Sequence, residues 1–593
     1  MTDLLFYDIE VFKYDSLVVF KDINNNVVAK FWNSKDTDFA HDNGFQAVPG
    51  LIRDKTLVGY NNFNYDDYIL TNMIKGLPQP FIKKLNDRII SGLGSNVPVS
   101  SLIHSIDTMQ QIDNSFPSLK QIEGNMGRSI IESEIDFNID RELTEEEKKI
   151  VERYCEYDVE STIRIYELRK KPYFDTKASL IEMLPEQIRE NAARWNTTTI
   201  SATILTDGHN LPEWDSQKVP AELWRNVPGI PDDVWQMWED MTASKVAVTG
   251  KGKSKTIKTL GCSIVFGLGG LHGAPTKGRV YENVDLDDVG SMYPSAINML
   301  NGLGDATELY DSLRQERLRI KHTDPVRASA LKLVLNSVYG NFKNQYSKLF
   351  NPMASATVCI FGQIAIFTLA RMLYEAGFEV ININTDGVAF VSIPEKAEEH
   401  DRIKTAWEEQ FKGFVLETDH FDKWIQKDVN NYIATQGEHI KVKGGDVNKY
   451  DTNKWFSNNN CRIVQIALVE KLVHGTPIYK TLTDNRDNPL LWQYVLKAGP
   501  TYDGTVTKNY EKMQNVNRIF AASEEYAASH PDKITTLYKL RKDGGIVNYP
   551  DVPERMFLWN GDLEDLPNVS EFFDFDHYMQ IVKKKLEGWP DVC

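Results

Sequence analysis

The pattern of apolar and polar positions along this chain predicts a mixed succession of strands and helices. Leu4-Leu-Phe-Tyr-Asp-Ile-Glu10 is apolar apart from two acids spaced by two, which predicts a buried strand with Asp8 and Glu10 on one face. Leu57-Val-Gly-Tyr60 predicts a second strand. Asn61-Asn-Phe-Asn-Tyr-Asp66 then forms the junction into a helix over 68–73, with Asp66 as its N-cap or as a further carboxylate. Thr144-Glu-Glu-Glu147 is a capping box, with Leu143 placed as a staple; the helix it opens sets Tyr154 and Asp158 on one face. Arg279-Val-Tyr-Glu-Asn-Val-Asp-Leu-Asp-Asp288 predicts another strand. In His322-Thr-Asp-Pro325, Asp324 caps a new helix and Pro325 takes its first position. Residues 379–391 predict a hairpin with Asp386-Gly387 near its tip. No apolar run of about 18 residues stands out, so no membrane span is expected.

At 593 residues several domains are expected. A hydrophobic share of 41% and a charged share of 25% fit a soluble globular chain. With no signal-peptide pattern at the start, the expected setting is cytoplasmic. Cys155, Cys262, Cys359, Cys461 and Cys593 are odd in number and scattered, which argues against a zinc or iron–sulfur module and fits a reducing compartment. A net charge of −17 argues at face value against nucleic acid. Net charge is not charge distribution, however, and a metal-dependent site needs carboxylates of its own. Lysines cluster at 251, 253, 255 and 258, at 441 and 443, and at 583–585; solvated faces look the same.

Candidate chemistry follows. Four carboxylates, Asp8, Glu10, Asp66 and Asp158, can hold two divalent ions, and Tyr154 can orient a water for in-line attack on phosphorus. Lys332, Asn336 and Tyr339, at i, i+4 and i+7, form a polar stripe amid Leu331, Leu333, Val334, Leu335 and Val338. The lysine can meet a triphosphate and the tyrosine can pack on a base or sugar. On the preceding helix Arg317 and Lys321 are second phosphate ligands or a solvated face. Asp285, Asp287 and Asp288 compete for a metal role, with Asp386 as the second acid. Two aspartates and a lysine are what metal-assisted nucleotidyl transfer requires.

Asp8-x-Glu10, Asn62-Phe-Asn-Tyr-Asp66 and Tyr154-x-x-x-Asp158 resemble the 3′–5′ proofreading exonuclease of DNA polymerases over residues 1 to 170. That resemblance implies that Asn62 contacts a single-stranded 3′ end and that Ser118-Leu119 touches the strand. Asp288-Val-Gly-Ser-Met-Tyr-Pro-Ser295, Lys332-Leu-Val-Leu-Asn-Ser-Val-Tyr-Gly340 and Asn384-Thr-Asp-Gly387 resemble motifs A, B and C of family B DNA polymerases. The register of motif A selects Asp288, and the resemblance implies a metal contact from the Val289 carbonyl. It also places Tyr293 under the incoming sugar, where a ring excludes a 2′-hydroxyl. Asp386 matches the metal-binding aspartate of motif C; Asn384 and Gly387 stand where the family has aspartate and serine, so no metal role passes to Asn384. Gly269 and Gly270 match a Tyr-x-Gly-Gly segment whose backbone approaches DNA. Tyr432 matches Lys-x-Tyr at the primer terminus, with Lys441 and Lys443 supplying the missing cation.

The fold so implied is α/β multidomain: a ribonuclease H-like exonuclease (1–170), a connecting region (171–262), palm (263–306 and 344–445), a fingers hairpin (307–343) and a thumb (446–593). The implied partners are primer–template DNA, dNTPs and other replication proteins, and the cofactor is Mg²⁺, two ions per site, with Mn²⁺ as a substitute. The expected state is a monomer. The layout resembles the compact phi29-like phage enzymes, without the large N-terminal domain of cellular ones. The stretches 289–331 and 337–385 are too short for both insertions that serve protein priming there, so extension of an ordinary primer with ordinary processivity is expected. Two other readings are a primase-polymerase and a degenerate polymerase that only binds DNA.

Overall fold

The computed structural model describes residues 3–33, 44–249, 252–452 and 454–592. Lys251 and Cys593, named above, lie outside the described residues.

The first sheet joins β1 (Leu4–Val11), β2 (Ser16–Lys21), β3 (Val27–Asn33), β4 (Thr56–Gly59) and β5 (Ser105–Asp107) in the order β3-β2-β1-β4-β5. The first three strands form an antiparallel meander, and β4 and β5 join parallel to β1. β1 is central and covered on both faces, which is why its sequence is almost wholly apolar. On one face Leu5, Tyr7 and Ile9 meet Ile69, Leu70 and Met73 of α1 (Asp66–Ile74). The helices α2 (Leu119–Asn125) and α3 (Glu145–Arg169) follow. Val151, Cys155, Val159 and Ile163 of α3 pack on Phe6, Leu17 and Val58 across the other face. Each aliphatic side chain so buried contributes roughly 1.5–3 kcal/mol. The capping box that opens α3 is formed: Glu147 N donates to Thr144 Oγ1 (3.3 Å) and Thr144 N to Glu147 Oε2 (2.9 Å).

The second sheet has nine strands: β6 (Ser254–Thr259), β7 (Cys262–Gly267), β8 (His272–Ala274), β9 (Arg279–Val289), β10 (Val380–Asn384), β11 (Gly387–Val391), β12 (Leu416–Gln426), β13 (Tyr432–Gln436) and β14 (His439–Lys443). Their order is β14-β13-β12-β9-β11-β10-β8-β7-β6, with β9 buried between β11 and β12. This sheet starts at 254, not at 263 as the sequence boundary has it. The lysines at 255 and 258 belong to its edge strand, paired with β7. Charged edge strands are protected from further pairing.

Between β9 and β10 lie α4 (Met292–Met299), α5 (Thr307–Ile320), α6 (Pro325–Asn341) and α7 (Pro352–Glu375). α5 and α6 are the expected helical hairpin, tied by the Tyr310 hydroxyl to the Leu335 carbonyl (2.8 Å) and started by Asp324, which accepts from Arg327 N (3.0 Å). From α6 to β10 the chain holds a loop and α7, with no inserted domain. The expectation of no long apolar run is corrected by α7: its mean hydropathy reaches 1.8, enough by length and composition to cross a membrane. That apolar window is wholly buried, because α7 is the central helix beneath the nine-stranded sheet.

The connecting region is helical and packs on the second sheet through aromatic rings. Trp224, Trp235, Trp238 and Phe266 meet edge to face at centroid distances of 5.4, 5.1 and 5.7 Å. Residues beyond 446 form a separate core around Leu468, Trp492, Phe520 and Tyr578, built on a four-stranded and a three-stranded sheet.

Candidate catalytic centres

Strand alternation sets Asp8 and Glu10 on one face of β1. Asp66 lies in the first turn of α1, one residue past its N-cap, Tyr65, so it is not the cap. Its neighbour Asp67 is fully buried and committed: it accepts from Tyr7, Asn62 and Ser105 and pairs with Arg194 of the connecting region. The Asp66 side chain has no such partner among the described residues, which leaves it free as a ligand. Asp158 and Tyr154 come from α3, one turn apart.

The electrostatics join these acids into one site. Burial pushes Asp8 up to about 7, with the charge of Asp158 adding to it. Burial also holds Glu10 well above the carboxylate range, followed by Asp8 and Asp158; for Asp66 burial is followed by Asp8 and Asp67. Like charges crowded in a low-dielectric site favour a bound cation or a proton. Cys155 lies beside them, its Sγ 3.6 Å from Asp8 Oδ2, and ligand atoms of Asp8, Glu10 and Cys155 fall within 4.8 Å of one another. Burial keeps that thiol protonated, so it serves Asp8 as a donor.

One member of the site escaped the sequence reading. Lys120, on α2, is almost fully buried, pairs with Asp158, lies 3.4 Å from Glu123 and sits 4.7 Å from the centre of the Tyr154 ring. Burial alone lowers an amine pKa, but Asp158 and Glu123 outweigh it and hold Lys120 above its ordinary value. The local signal was Ser118-x-x-Gln121, a capping box whose Ser118 N donates to Gln121 Oε1 (3.1 Å). It locates α2 but not what α2 packs against. Ser118 is thus a helix cap here. Asn62 also departs from expectation: it is fully buried, braced on Asp67, and presents no surface to a strand.

In the second sheet the three neighbouring acids differ in their partners. Asp287 is fully buried between His400 Nε2 (2.8 Å) and Thr418 Oγ1 (2.7 Å), and Asp285 faces His420 Nδ1 (2.7 Å). Asp288 points to the other face and lies opposite Gly387 on β11 and Glu417 on β12. Burial pushes it up to about 7, with Asp386 next and Lys441 opposing. Asp386 sits exposed in the two-residue turn between β10 and β11, whose backbone is fixed by Val289 N donating to Asp386 O (2.7 Å) and Thr385 N donating to Asn384 Oδ1 (2.9 Å). Asn384 therefore shapes the turn. Gly387 has a steric reason: a Cβ there would lie 2.8 Å from Asp288 Oδ1.

Tyr293 on α4 stacks face to face on Tyr339 of α6, with centroids 4.0 Å apart and planes 5° apart, which ties the polar stripe to the acids. Lys332 and Asn336 are exposed on that stripe while Leu331, Val334, Leu335 and Val338 are buried, as the periodicity predicts. Arg317 and Lys321 carry no ion pair among the described residues; Arg314 is held by Asp311 (3.0 Å). Lys441 of β14 lies 4.0 Å from Asp419 of β12, on the Asp288 side of the sheet, and Lys443 sits beside the Tyr432 ring at 5.9 Å. Tyr432 itself is buried, stacked on Trp424 at 4.2 Å, so it supports the sheet and is not an open contact. Gly269 is exposed. Gly270, at φ +113, is packed against Thr385 Oγ1, 2.6 Å from where a Cβ would stand, so it serves the geometry of the 385–386 turn.

No family model matches this sequence, and no curated protein is detectably similar to it. Among solved structures, the family B DNA polymerase from the hyperthermophilic archaeon Pyrobaculum calidifontis is similar to it at 14% identity and a TM-score of 0.42, over 99% of this chain and 78% of that one.

Proposed function

We propose that this chain is a template-directed DNA polymerase of the family B type, with a separate 3′–5′ exonuclease site in its N-terminal part. The observation that carries this reading is the placement of Asp386, in the turn that leads into β11, beside Asp288 on β9, with the Tyr293–Tyr339 stack linking the Lys332 helix to α4, which follows β9. Both acid sets fit divalent cations: Asp8, Glu10, Asp66 and Asp288 have raised pKa values, which a bound cation relieves. Oxygen-only ligands suit Mg²⁺, with Mn²⁺ as a substitute. Asp288, the Val289 carbonyl and Asp386 would hold two ions in one site, and Asp8, Glu10, Asp66 and Asp158 two in the other. Such ions neutralise phosphate charge and make an oxygen nucleophile available near neutral pH.

The chain's own residues do the rest. Lys332, exposed on α6 with Arg317 and Lys321 on the neighbouring helix, meets the triphosphate of a dNTP. Tyr293, backed by Tyr339, forms a wall against the sugar that leaves no room for a 2′-hydroxyl. Lys441 and Lys443 lie where primer phosphates leave the site. In the N-terminal site Tyr154 orients a water toward the terminal phosphodiester. A cytoplasmic role in phage genome replication, on an ordinary nucleic-acid primer, completes the proposal.

The deciding experiment is a labelled primer–template with Mg²⁺, with and without dNTPs. Extension with dNTPs and 3′ shortening without them is the expected result. Shortening alone, with extension restored by a protein primer only, overturns the ordinary-primer reading. Absence of both activities overturns the proposal. In the presence of a DNA trap, short products are expected; very long ones from a single binding event would refute ordinary processivity.

A further inference from the structure

Arg518 lies on the strand Val516–Ala521 of the C-terminal region and has no exposed surface. A buried guanidinium is ordinarily matched by a carboxylate. Here the partners are neutral carbonyls, and burial pushes Arg518 down to about 10. Its Nη1 donates to Gly561 O (2.6 Å), and its Nη2 donates to Gly124 O (3.2 Å) and Arg128 O (2.6 Å). Gly124 belongs to the last turn of α2, and Arg128 follows it. Carbonyls at a helix C-terminus lack intrahelical donors and carry partial negative charge. Gly124 O also accepts from Gly127 N (3.1 Å), so Arg518 adds a charged donor to this C-terminal turn from another part of the chain.

The same segment is tied across at other points. Ile130 N donates to Asn560 O (2.7 Å), and Leu563 N to Gly127 O (3.0 Å). Glu132 accepts from Asn515 N (2.8 Å) and Val516 N (2.9 Å). At Gly124 even one methyl would lie 2.9 Å from both Ile130 and Val495. A helix of two turns is not stable by itself. Its first turn carries Lys120 to Asp158, and its last turn is fixed by Arg518.

We propose that Arg518 is a positioning residue for the N-terminal carboxylate site: from the C-terminal region it fixes α2 so that Lys120 stays on Asp158. The placement of the C-terminal region then sets the competence of a site that is remote from it in sequence. This rests on the nuclease reading of that site.

The test is a double-mutant cycle on the full chain with Arg518→Met and Lys120→Met, reading 3′ shortening, primer extension and amide hydrogen exchange over residues 119–128. Arg518→Met is expected to slow shortening by about 10- to 100-fold, the usual range for a residue that orients a ligand set. It should leave extension within about twofold and speed exchange in α2. In the Lys120→Met background, Arg518→Met should cost nothing further in shortening, because its effect passes through Lys120. Equal losses in both backgrounds, an unchanged exchange rate, or extension falling in step would overturn the proposal. Where Arg518→Met does not fold, Glu132→Ala cuts a second tie of the same segment; the same pattern at smaller amplitude supports the proposal, and no change refutes it. If the unaltered chain shortens no primer, the nuclease reading fails, and unchanged exchange in the variants would then refute the anchoring on its own.

Discussion

The two acid clusters solve one electrostatic problem differently. In the N-terminal cluster Glu10, Asp66 and Asp158 are buried and Asp8 half-buried, and a counter-charge is built in: Lys120 is buried with them and paired to Asp158. In the second sheet Asp288 is half-buried and Asp386 is exposed at a turn, while the cations, Lys441 and Lys332, stand off on the edge strand β14 and on a separate helix. Under the proposed nuclease reading, the first arrangement suits a small, fixed target. Under the proposed polymerase reading, the second leaves open the space that a large polyanionic substrate would fill, with its cations directed to that substrate rather than to the acids. A closed site with an internal cation is pre-organised, while an open one gains its complement on binding.

Four experiments break or sharpen this contrast. The largest effect is expected from the acids. Asp386→Ala should lower extension by at least about a thousandfold and spare shortening, and Asp8→Ala with Glu10→Ala should do the reverse. Loss of both activities in either variant, on the same gel, would show the sites are not independent. Next, Lys332→Ala should raise the dNTP KM by about 10- to 100-fold, the worth of one charge-assisted phosphate contact; steady-state extension at varied dNTP would sink the assignment if KM held.

Gly387→Ser, which restores the residue the motif C resemblance leads one to expect, should lower extension by about tenfold, because its Cβ would press on Asp288 Oδ1 from 2.8 Å. An active Gly387→Ser enzyme would show that the turn yields. The smallest effect is thermal. Asp8 and Asp288 rise on folding from the ordinary 3.8 to about 7. A carboxylate raised in this way binds its proton more tightly when folded, so its stabilising contribution is fully present below about 4 and is lost as pH rises through about 7. The metal-free Tm should therefore fall by a few degrees from pH 5 to pH 8, and Mg²⁺ should restore more of it at pH 8 than at pH 5. A Tm that rises over that window would contradict the raised values.

Much of this was legible in residue spacing. Alternation placed Asp8 with Glu10, the helical period placed Lys332, Asn336 and Tyr339 on one exposed stripe, and capping chemistry located the starts of α3 and α6. The choice of Asp288 over Asp285 and Asp287 came from the motif register, and the structure adds why: the other two are already spent on histidines and a threonine. What stayed hidden depends on contacts between remote segments. Lys120 is an ordinary helix lysine until α2 is laid against α3, and Arg518 looks like a surface arginine on a strand. Asn62 and Tyr432 were misjudged because a motif match reports residue type and order but not depth. The lysine cluster at 255 and 258 carries no strand signal of its own, and only the pairing of β6 with β7 reveals an edge strand.

The burial of α7 has a consequence for how the protein is made. Its cover includes β10, β11 and the helix Ala397–Gln410, whose Trp407 donates to the Ala365 carbonyl (2.8 Å). All of these are translated after it. A nascent chain that has just released residue 375 can lay α4 and the helices of the connecting region on this 24-residue, mostly apolar helix, but not yet β10, β11 or the helix Ala397–Gln410. The ribosome is thus committed to finishing the central sheet before the middle of the molecule can shed its greasiness, and a stalled or truncated product ending there carries what looks like a membrane address.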